Sequence, residues 1–517
     1  MRRRAGLAVG LGIAVALWTA LLPTSLDALW PWPPPEVGST TGRVGQVVDW
    51  ILQPTIAYIC LVSLAVWAGR RRLYRLSAHL LLSVVLTFSF TTLLKATVRR
   101  DRPDTPWLGD LHADASYPSA HSSALTALAL GVVVLAVVAR FSRRRTLTLT
   151  GVGALLVLTV WADRLLLHVH HVSDVMAGSL VAGFAVATSW LLTASGVGSS
   201  GFDTRRGASR RVRGSTSGSY AVVVNPARVR DPELLRRLVR AAADAHGWRE
   251  AGWFETTPAN PGTGATRAAI DAGADLVLVA GGDGTLRAAA GPLLRSTAAL
   301  AVVPFGSGDL LARNLRLPQD TVDALAVAFG GATRPLDLLR VDAAGRVELA
   351  LVMAGVGADA AVLADTREGL KRRLGAGAYL VAGAKHVTAR PVRTGIAVDD
   401  APPRWGYASL VSVGNVGELR PGVALLPGAD ASDGRLDVVA ASPRHARDVL
   451  RMMAGTLAGS RRGRGLDRYR GHRVEVTTAS PVPCQVDGDV LGDVTRLSAE
   501  VLPGALRIQV ATGNPDF

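Results

Sequence analysis

The chain has 517 residues, 49% of them hydrophobic, and a formal net charge of +16, which is too much sequence for one ordinary core and favours two to four units. The charge does not point to nucleic acid: the arginines stand at the ends of apolar stretches and in one Gly/Ser/Arg-rich segment, a placement that sets membrane orientation and attracts anionic lipid. The two cysteines, Cys60 and Cys484, exclude a disulfide framework and lack metal-ligand spacing.

Arg2 to Arg4 followed by the uncharged run Ala5 to Leu26 has the charged start of a signal peptide. Its apolar run exceeds the roughly 7 to 15 residues of a signal core, so it predicts a retained first membrane span. Five further spans are expected at Trp50 to Gly69, Leu76 to Leu94, Ser122 to Ala139, Thr146 to Ala162 and Val175 to Thr193, each close to the roughly 17 to 25 residues that crossing requires. Arginine clusters at 2–4, 70–75, 140–145 and 205–211 occupy alternate connections, which makes those connections cytoplasmic. Pro23 to Asp49, Lys95 to His121 and Asp163 to Asp174 then lie outside. Lys95 to His121 nevertheless carries Arg99, Arg100 and Arg102, against the rule, and these charges ask for a catalytic use.

Residues 195–219 read as a flexible basic linker against an anionic surface. Beyond it, β-branched runs at Ala221 to Val224, Asp275 to Ala280 and Ala299 to Val303 alternate with helical patterns at Pro232 to Ala245 and Ala265 to Ala272, a βαβ signature. After about Pro335 strands predominate: Val347 to Val352, Tyr407 to Val413, Gly434 to Val439, Val474 to Thr478 and Leu506 to Val510, with one helical segment near Asp365 to His386. The expected organisation is a transmembrane domain at 1–194, the linker at 195–219, an α/β lobe at 220–335 and a β-rich lobe at 336–517.

Three polar sets fall at the expected outer ends of the spans: Lys95 with Arg102-Pro103, Pro118-Ser119-Ala120-His121, and Arg164, His170 and Asp174. Singly, each reads as interfacial anchors or a local helix contact. Together they suit one reaction. Lys95, Arg102 and Arg164 offer fixed positive charge to phosphoryl oxygens without a metal. His170 can attack phosphorus, Asp174 one turn later can hold its other ring nitrogen, and His121 is the natural acid for the leaving oxygen.

The order Lys95-x6-Arg102-Pro103, Pro118-Ser-Ala-His121 and Arg164-x5-His170-x3-Asp174 resembles the type 2 phosphatidic acid phosphatase family, whose motifs read KxxxxxxRP, PSGH and SRxxxxxHxxxD. The resemblance covers roughly the first 194 residues. It implies an all-α six-helix transmembrane fold, His170 as nucleophile, Asp174 as its partner, His121 as acid, and Lys95, Arg102, Ser119, Ala120 and Arg164 around the phosphate. Ala120 replaces a glycine, and Asp163 replaces the serine before the arginine. A carboxylate there is unfavourable unless it points away or pairs with Arg164.

In the second half, Gly281-Gly282-Asp283-Gly284-Thr285 follows a strand and opens a helix. Glycines there let backbone amides close around phosphate, and Asp283 offers an oxygen to Mg²⁺ or nucleotide. A second glycine turn at Pro304 to Asp309, with Gly306, Ser307 and Asp309, and the strand end at Asn225 could share one sheet edge, where nucleotides bind in α/β folds. This constellation resembles the diacylglycerol kinase catalytic domain, which is shared with sphingosine kinases and distantly with NAD kinases. The match runs through GGDGT, a PxGTxNDxAR-like segment at Pro304 to Arg313 and later blocks at Gly355 to Asp359, Pro427 to Asp437 and Asp487-Gly488-Asp489. It implies an α/β nucleotide-binding lobe with a β-rich second lobe, ATP and Mg²⁺ as cofactors, and Asp487 as general base with Asp489 beside it. By themselves Val486 to Val490 read as a hairpin turn. Ala288 and Leu310 depart from the family pattern.

The sequence is thus read as an integral plasma-membrane protein joining an extracytoplasmic lipid-phosphate phosphatase, acting through phosphohistidine, to a cytoplasmic ATP-dependent kinase for diacylglycerol or a similar lipid alcohol. Lipids and membrane, not nucleic acid, are its expected partners. The rival readings are a lipid-binding or scaffold protein with one degenerate site, and an NAD kinase-like soluble half.

Overall fold

The computed structural model describes residues 2–107, 115–193, 218–357, 391–420, 423–424, 426, 429–442 and 466–513. The linker at 195–219 lies almost wholly outside them, as does the expected helix at Asp365 to His386. The chain divides into two compact units, a helical one made of the N-terminal stretch together with Glu233–Ala241, and an α/β one made of the rest.

The first unit contains α1 (Arg2–Leu21), a 3-10 turn (Thr24–Leu29), α2 (Thr40–Ile51), α3 (Pro54–Arg70), α4 (Tyr74–Val98), α5 (Ala120–Val138), α6 (Arg143–Leu166) and α7 (Val172–Thr193). Among the described residues, five stretches are long and apolar enough to cross a membrane: Thr40–Arg70, taken as one, and α4 to α7. The first expected span is shorter than the sequence suggests. Its apolar part, Ala5–Leu21, has 17 residues, and the helix ends before Pro23, which cannot continue the hydrogen-bond ladder. Apolar side chains such as Ile59, Val85, Phe88, Leu155 and Leu158 point outward, as they do where hydrocarbon replaces water around a bundle. Inside, small residues let the helices approach closely: a Cβ on Gly178 of α7 would meet the Ser119 carbonyl oxygen at 2.5 Å. Buried His79, Ser83, Thr87 and Thr91 recur every fourth residue along α4. Ser83 Oγ and His79 Nδ1 each lie within hydrogen-bond distance of Ser189 Oγ on α7, the polar cross-linking expected between helices in lipid.

The chain continues with β1 (Ser219–Val224), α8 (Pro232–His246), β2 (Arg249–Glu255), α9 (Thr263–Asp271), β3 (Leu276–Gly281), α10 (Asp283–Leu293), β4 (Ala299–Pro304), α11 (Leu310–Asn314) and α12 (Thr321–Gly330), all of which belong to the second unit except Glu233–Ala241 of α8. Strands β2, β1, β3 and β4 form a parallel sheet in that order. Every residue of β3 and β4 is buried, which explains their continuous apolar runs. Strand β2, at the edge and mostly half-exposed, lacks that signature and is not apparent from sequence.

The β-rich part comprises β5 (Ala332–Ala343), β6 (Arg346–Ala350), β7 (Met353–Gly357), β8 (Val392–Val398), β9 (Arg404–Ala408), β10 (Leu410–Gly414), the separate pair β11 (Glu418–Arg420) and β12 (Val423–Ala424), then β13 (Leu436–Ala441), β14 (Leu466–Gly471), β15 (Arg473–Val486) and β16 (Asp489–Val510). The last two strands are far longer than their apolar cores at Val474 to Thr478 and Leu506 to Val510. Register shifts lie between Thr477 and Val482 and between Leu502 and Leu506, where Pro481, Pro503 and Gly504 interrupt the alternation without ending the strand. Strand β16 pairs with β15 and β5 and reaches β4 at Ile508↔Leu300. One hydrogen-bonded sheet therefore runs through both lobes. The run expected as one strand at Val347 to Val352 stops at Ala350 because Leu351 and Val352 turn their amides to a carboxylate described below.

Candidate active sites

In the helical unit, His170 sits in the connection between α6 and α7. Its Nδ1 lies 3.7 Å from Asp174 Oδ2 and its Nε2 lies 3.4 Å from Arg102 Nη1. One ring nitrogen thus faces the carboxylate and the other faces a cation. Burial holds the imidazole below its ordinary pKa, against the opposing pull of Asp174, which favours the neutral, nucleophilic form. His168 instead approaches the Trp32 carbonyl with Nε2, and His171 lies against Asp27 at 4.0 Å. Of the three histidines, His170 alone has its ring between Asp174 and an expected phosphate-binding residue.

Asp174 is over-determined. Its oxygens accept from Arg100 Nη1 at 2.8 Å, from the His171 amide at 3.0 Å, and from Ser116 Oγ. Arg100 is itself held by Asp27 at 2.6 Å through its second terminal nitrogen, and Ser173 donates to Asp27 by amide and hydroxyl. Arg100, Asp27 and Ser116 belong to no expected motif, yet they fix the carboxylate that orients His170. Two of the three arginines in the basic connection enter the site: Arg100 pairs with Asp174, and Arg102 donates to the Val169 carbonyl at 2.9 Å beside His170. Arg99, by contrast, is exposed and donates to the Ala96 carbonyl at 2.9 Å.

On the other side, Asp163 pairs with Arg164, accepting from Nε at 3.0 Å and from a terminal nitrogen. The residue that looked unfavourable next to phosphate is the arginine's own anchor. Arg164 also lies 2.6 Å from Asp49 Oδ1, and His121 Nε2 lies 3.0 Å from the same oxygen. Asp49 comes from α2, and the sequence reading did not single it out. Both His121 and His170 fall within electrostatic reach of both Arg102 and Arg164, so the three polar sets converge. Ser119 caps α5, accepting from the Ser122 amide at 3.4 Å, and Ala120 is the first residue of that helix, whose N-terminal end favours an anion. Lys95 Nζ donates to the Ala115 carbonyl, next in sequence to Ser116.

In the α/β unit, the ends of the parallel neighbours β1, β3 and β4 bring Asn225, Gly281 to Thr285 and Pro304 to Asp309 to one edge. Asn225 Nδ2 donates to Thr285 Oγ1 at 3.2 Å, and the Phe305 amide donates to the Gly281 carbonyl at 2.8 Å. The two glycine turns touch: a Cβ on Gly306 would lie 2.8 Å from the Gly282 Cα, so only glycine allows the approach. Asp309 accepts from the Gly306 amide at 2.7 Å. Ser307 and Gly284 are exposed along this edge. Burial, reinforced by Asp309 and more weakly by Asp487, pushes the Asp283 carboxyl up to about 6. Its Oδ1 is buried without a hydrogen-bond partner among the described residues.

Asp487 occupies the hairpin turn between β15 and β16, as the local sequence suggests. Its carboxylate accepts from the amides of Leu351, Val352 and Met353 at 2.7, 2.9 and 3.0 Å. Burial nevertheless pushes it above the usual carboxylate range, outweighing those amides. Asp489 is exposed and paired with Arg287. Among the described residues, no group of three His, Cys, Asp or Glu side chains could hold a metal ion.

Three family descriptions match the chain: the PAP2 superfamily over residues 76–195, the diacylglycerol kinase catalytic domain over 219–341, and the YegS C-terminal NAD kinase beta sandwich-like domain over 350–510. The N-terminal region therefore matches the PAP2 superfamily, and the region after it matches a diacylglycerol kinase-like catalytic domain. A lipid kinase YegS-like protein of Pseudomonas aeruginosa PAO1 is 34% identical over 256 residues, covering 48% of this chain and 80% of the relative. One of Pseudomonas fluorescens Pf-5 is 32% identical over 295 residues, covering 55% and 94%. Through its C-terminal half, this chain belongs to the YegS-like lipid kinase family. A solved Bacillus anthracis str. Sterne structure, described as a diacylglycerol kinase, aligns over 58% of this chain and 98% of its own with TM-score 0.49 and 19% identity.

Proposed function

We propose that the protein hydrolyses a lipid phosphate at an extracytoplasmic site through phosphohistidine and, at a cytoplasmic site, transfers phosphate from ATP to diacylglycerol or a similar lipid alcohol. The observation that carries the first half is the His170 ring, with Nδ1 toward Asp174 and Nε2 toward Arg102. The Nε2 lone pair attacks phosphorus, the bond from phosphorus to the lipid oxygen breaks, and His121 gives that oxygen its proton. Water then attacks the phosphohistidine, returns a proton to His121, and releases inorganic phosphate and neutral His170. Arg102 and Arg164 stabilise charge on the phosphoryl oxygens throughout, while Lys95 and the start of α5 at Ser119 and Ala120 complete the expected cradle.

In the kinase half, the glycine turns at Gly281 to Thr285 and Gly306 to Asp309 cradle the nucleotide phosphates. The buried, unpartnered Asp283 oxygen suits a Mg²⁺ that keeps most of its other positions for water and phosphate. Such an ion would neutralise phosphate charge. Asp487, raised by burial, takes the lipid hydroxyl proton, and Arg287 holds Asp489 beside it. The orientation rests on the arginine distribution along the chain.

Phosphohistidine is acid-labile and alkali-stable. Mixing the full-length protein with ³²P-labelled lipid phosphate and quenching in alkali is expected to leave label on the parent protein. If turnover proceeds with no trapped label under conditions where the first step outruns the second, the covalent route is wrong.

A further inference from the structure

Asp49 lies on α2, upstream of the PAP2 match that begins at residue 76. One of its oxygens stands 2.6 Å from Arg164 and 3.0 Å from His121 Nε2. On the hydrolase reading, these groups bracket the phosphate ester, the arginine holding a phosphoryl oxygen and the histidine protonating the neighbouring lipid oxygen. We propose that Asp49 is a displaceable internal anion: its carboxylate occupies the phosphoryl-oxygen position between Arg164 and His121, and a phosphate must push it out to bind.

Arg164 does not need Asp49 for its orientation, because Asp163 already accepts from two of its nitrogens. The carboxylates also differ in burial. The side chains of Asp163 and Asp174 are 5% and 0% exposed, whereas that of Asp49 is 39% exposed although its Oδ1 is buried against the site, so rotation carries that oxygen from a buried position into water, where a carboxylate is well solvated. The helix beneath it is closely packed: a Cβ on Gly45 would meet Leu167 Cδ2 at 2.9 Å. Displacement therefore belongs to the Asp49 side chain, with α2 staying in place. A carboxylate and a phosphate oxygen cannot share the position, since like charges at contact repel even under solvent screening.

The inference rests on the hydrolase reading only in placing a phosphoryl group between Arg164 and His121, and its test reads binding without turnover. Radiolabelled inorganic phosphate is equilibrated with the detergent-purified full-length protein. Asp49→Asn is expected to bind phosphate about tenfold tighter, the order expected for removing one partly screened charge at contact, while Asp49→Glu, which keeps the charge, stays near the parent. Should Asp49→Asn not purify as monodisperse protein, Asp49→Ser is read in the same way. Equal or weaker binding by the neutral variant overturns the proposal, because a carboxylate that only orients His121 and Arg164 leaves a poorer site when removed. Equal tightening by Asp27→Asn, whose carboxylate pairs with Arg100, overturns it as well, by reducing the effect to general charge. Phosphate binding detectable in neither parent nor variant also counts against it. Failure of the hydrolase reading is distinct and shows as no phosphate released from lipid phosphate by the parent.

Discussion

Replacing His170 with alanine is expected to reduce lipid-phosphate release by about 10³-fold or more, the scale of losing a covalent nucleophile, while ATP-dependent lipid phosphorylation continues at the parent rate. The separation follows from the architecture. His170 lies in the helical unit, whereas the glycine turns and Asp283 lie in the other. Asp174 remains held by Arg100 and Ser116 when the imidazole is removed, so the variant loses the attacking nitrogen without releasing a buried carboxylate. Both activities should be measured on one preparation. If both vanish in folded protein, the two-site reading is falsified.

Asp283→Asn is expected to act oppositely on activity and stability. Kinase activity falls by about 10² to 10³-fold, as when a preorganised polar group at a phosphate site is lost, while phosphatase activity is untouched. The α/β unit, however, becomes more stable at pH 7.5. The folded-state pKa of Asp283 is raised to about 6 by burial and by Asp309, above the unfolded value near 3.9. A group raised in this way favours the folded state fully below about pH 4, and the advantage disappears as pH climbs through about 6. At pH 7.5 the parent holds an ionised carboxylate in an unfavourable place. Asparagine removes the charge and keeps an oxygen for the Leu310 and Leu311 amides, with an expected gain of up to about 3 kcal/mol. Denaturant unfolding at pH 7.5 and pH 4.5 checks this: the gain should appear at the higher pH and shrink at the lower. A variant less stable than the parent at pH 7.5 would show that the carboxylate is a structural anchor.

Much of both sites was legible because their residues are local in sequence. His170 and Asp174 are one helical turn apart, and the Gly281 to Thr285 turn is contiguous. The fully buried β3 and β4 announce themselves as unbroken apolar runs. What could not be read depends on distant contacts. Asp27, Asp49, Arg100 and Ser116 are ordinary polar residues in loops or at helix ends, and only folding brings Asp27 to Ser173 or Asp49 to Arg164. Asp163 was legible only as a conflict, since the sequence states both the carboxylate and its arginine neighbour but not their pairing. Strand limits failed for a related reason. The Asp487 carboxylate draws the Leu351 and Val352 amides out of the ladder from 135 or more residues away, while proline and glycine bulges in β15 and β16 imitate strand ends.

The central claim is that two opposed phosphate chemistries are carried on opposite faces of one membrane by one chain. Sealed, right-side-out vesicles bearing the full-length protein test it most directly. Lipid phosphate supplied in the outer leaflet should be hydrolysed at the same rate before and after permeabilisation, whereas phosphorylation of lipid by added ATP should appear only once the vesicles are opened. Activities equally accessible from outside, or equally hidden until opening, would contradict the account.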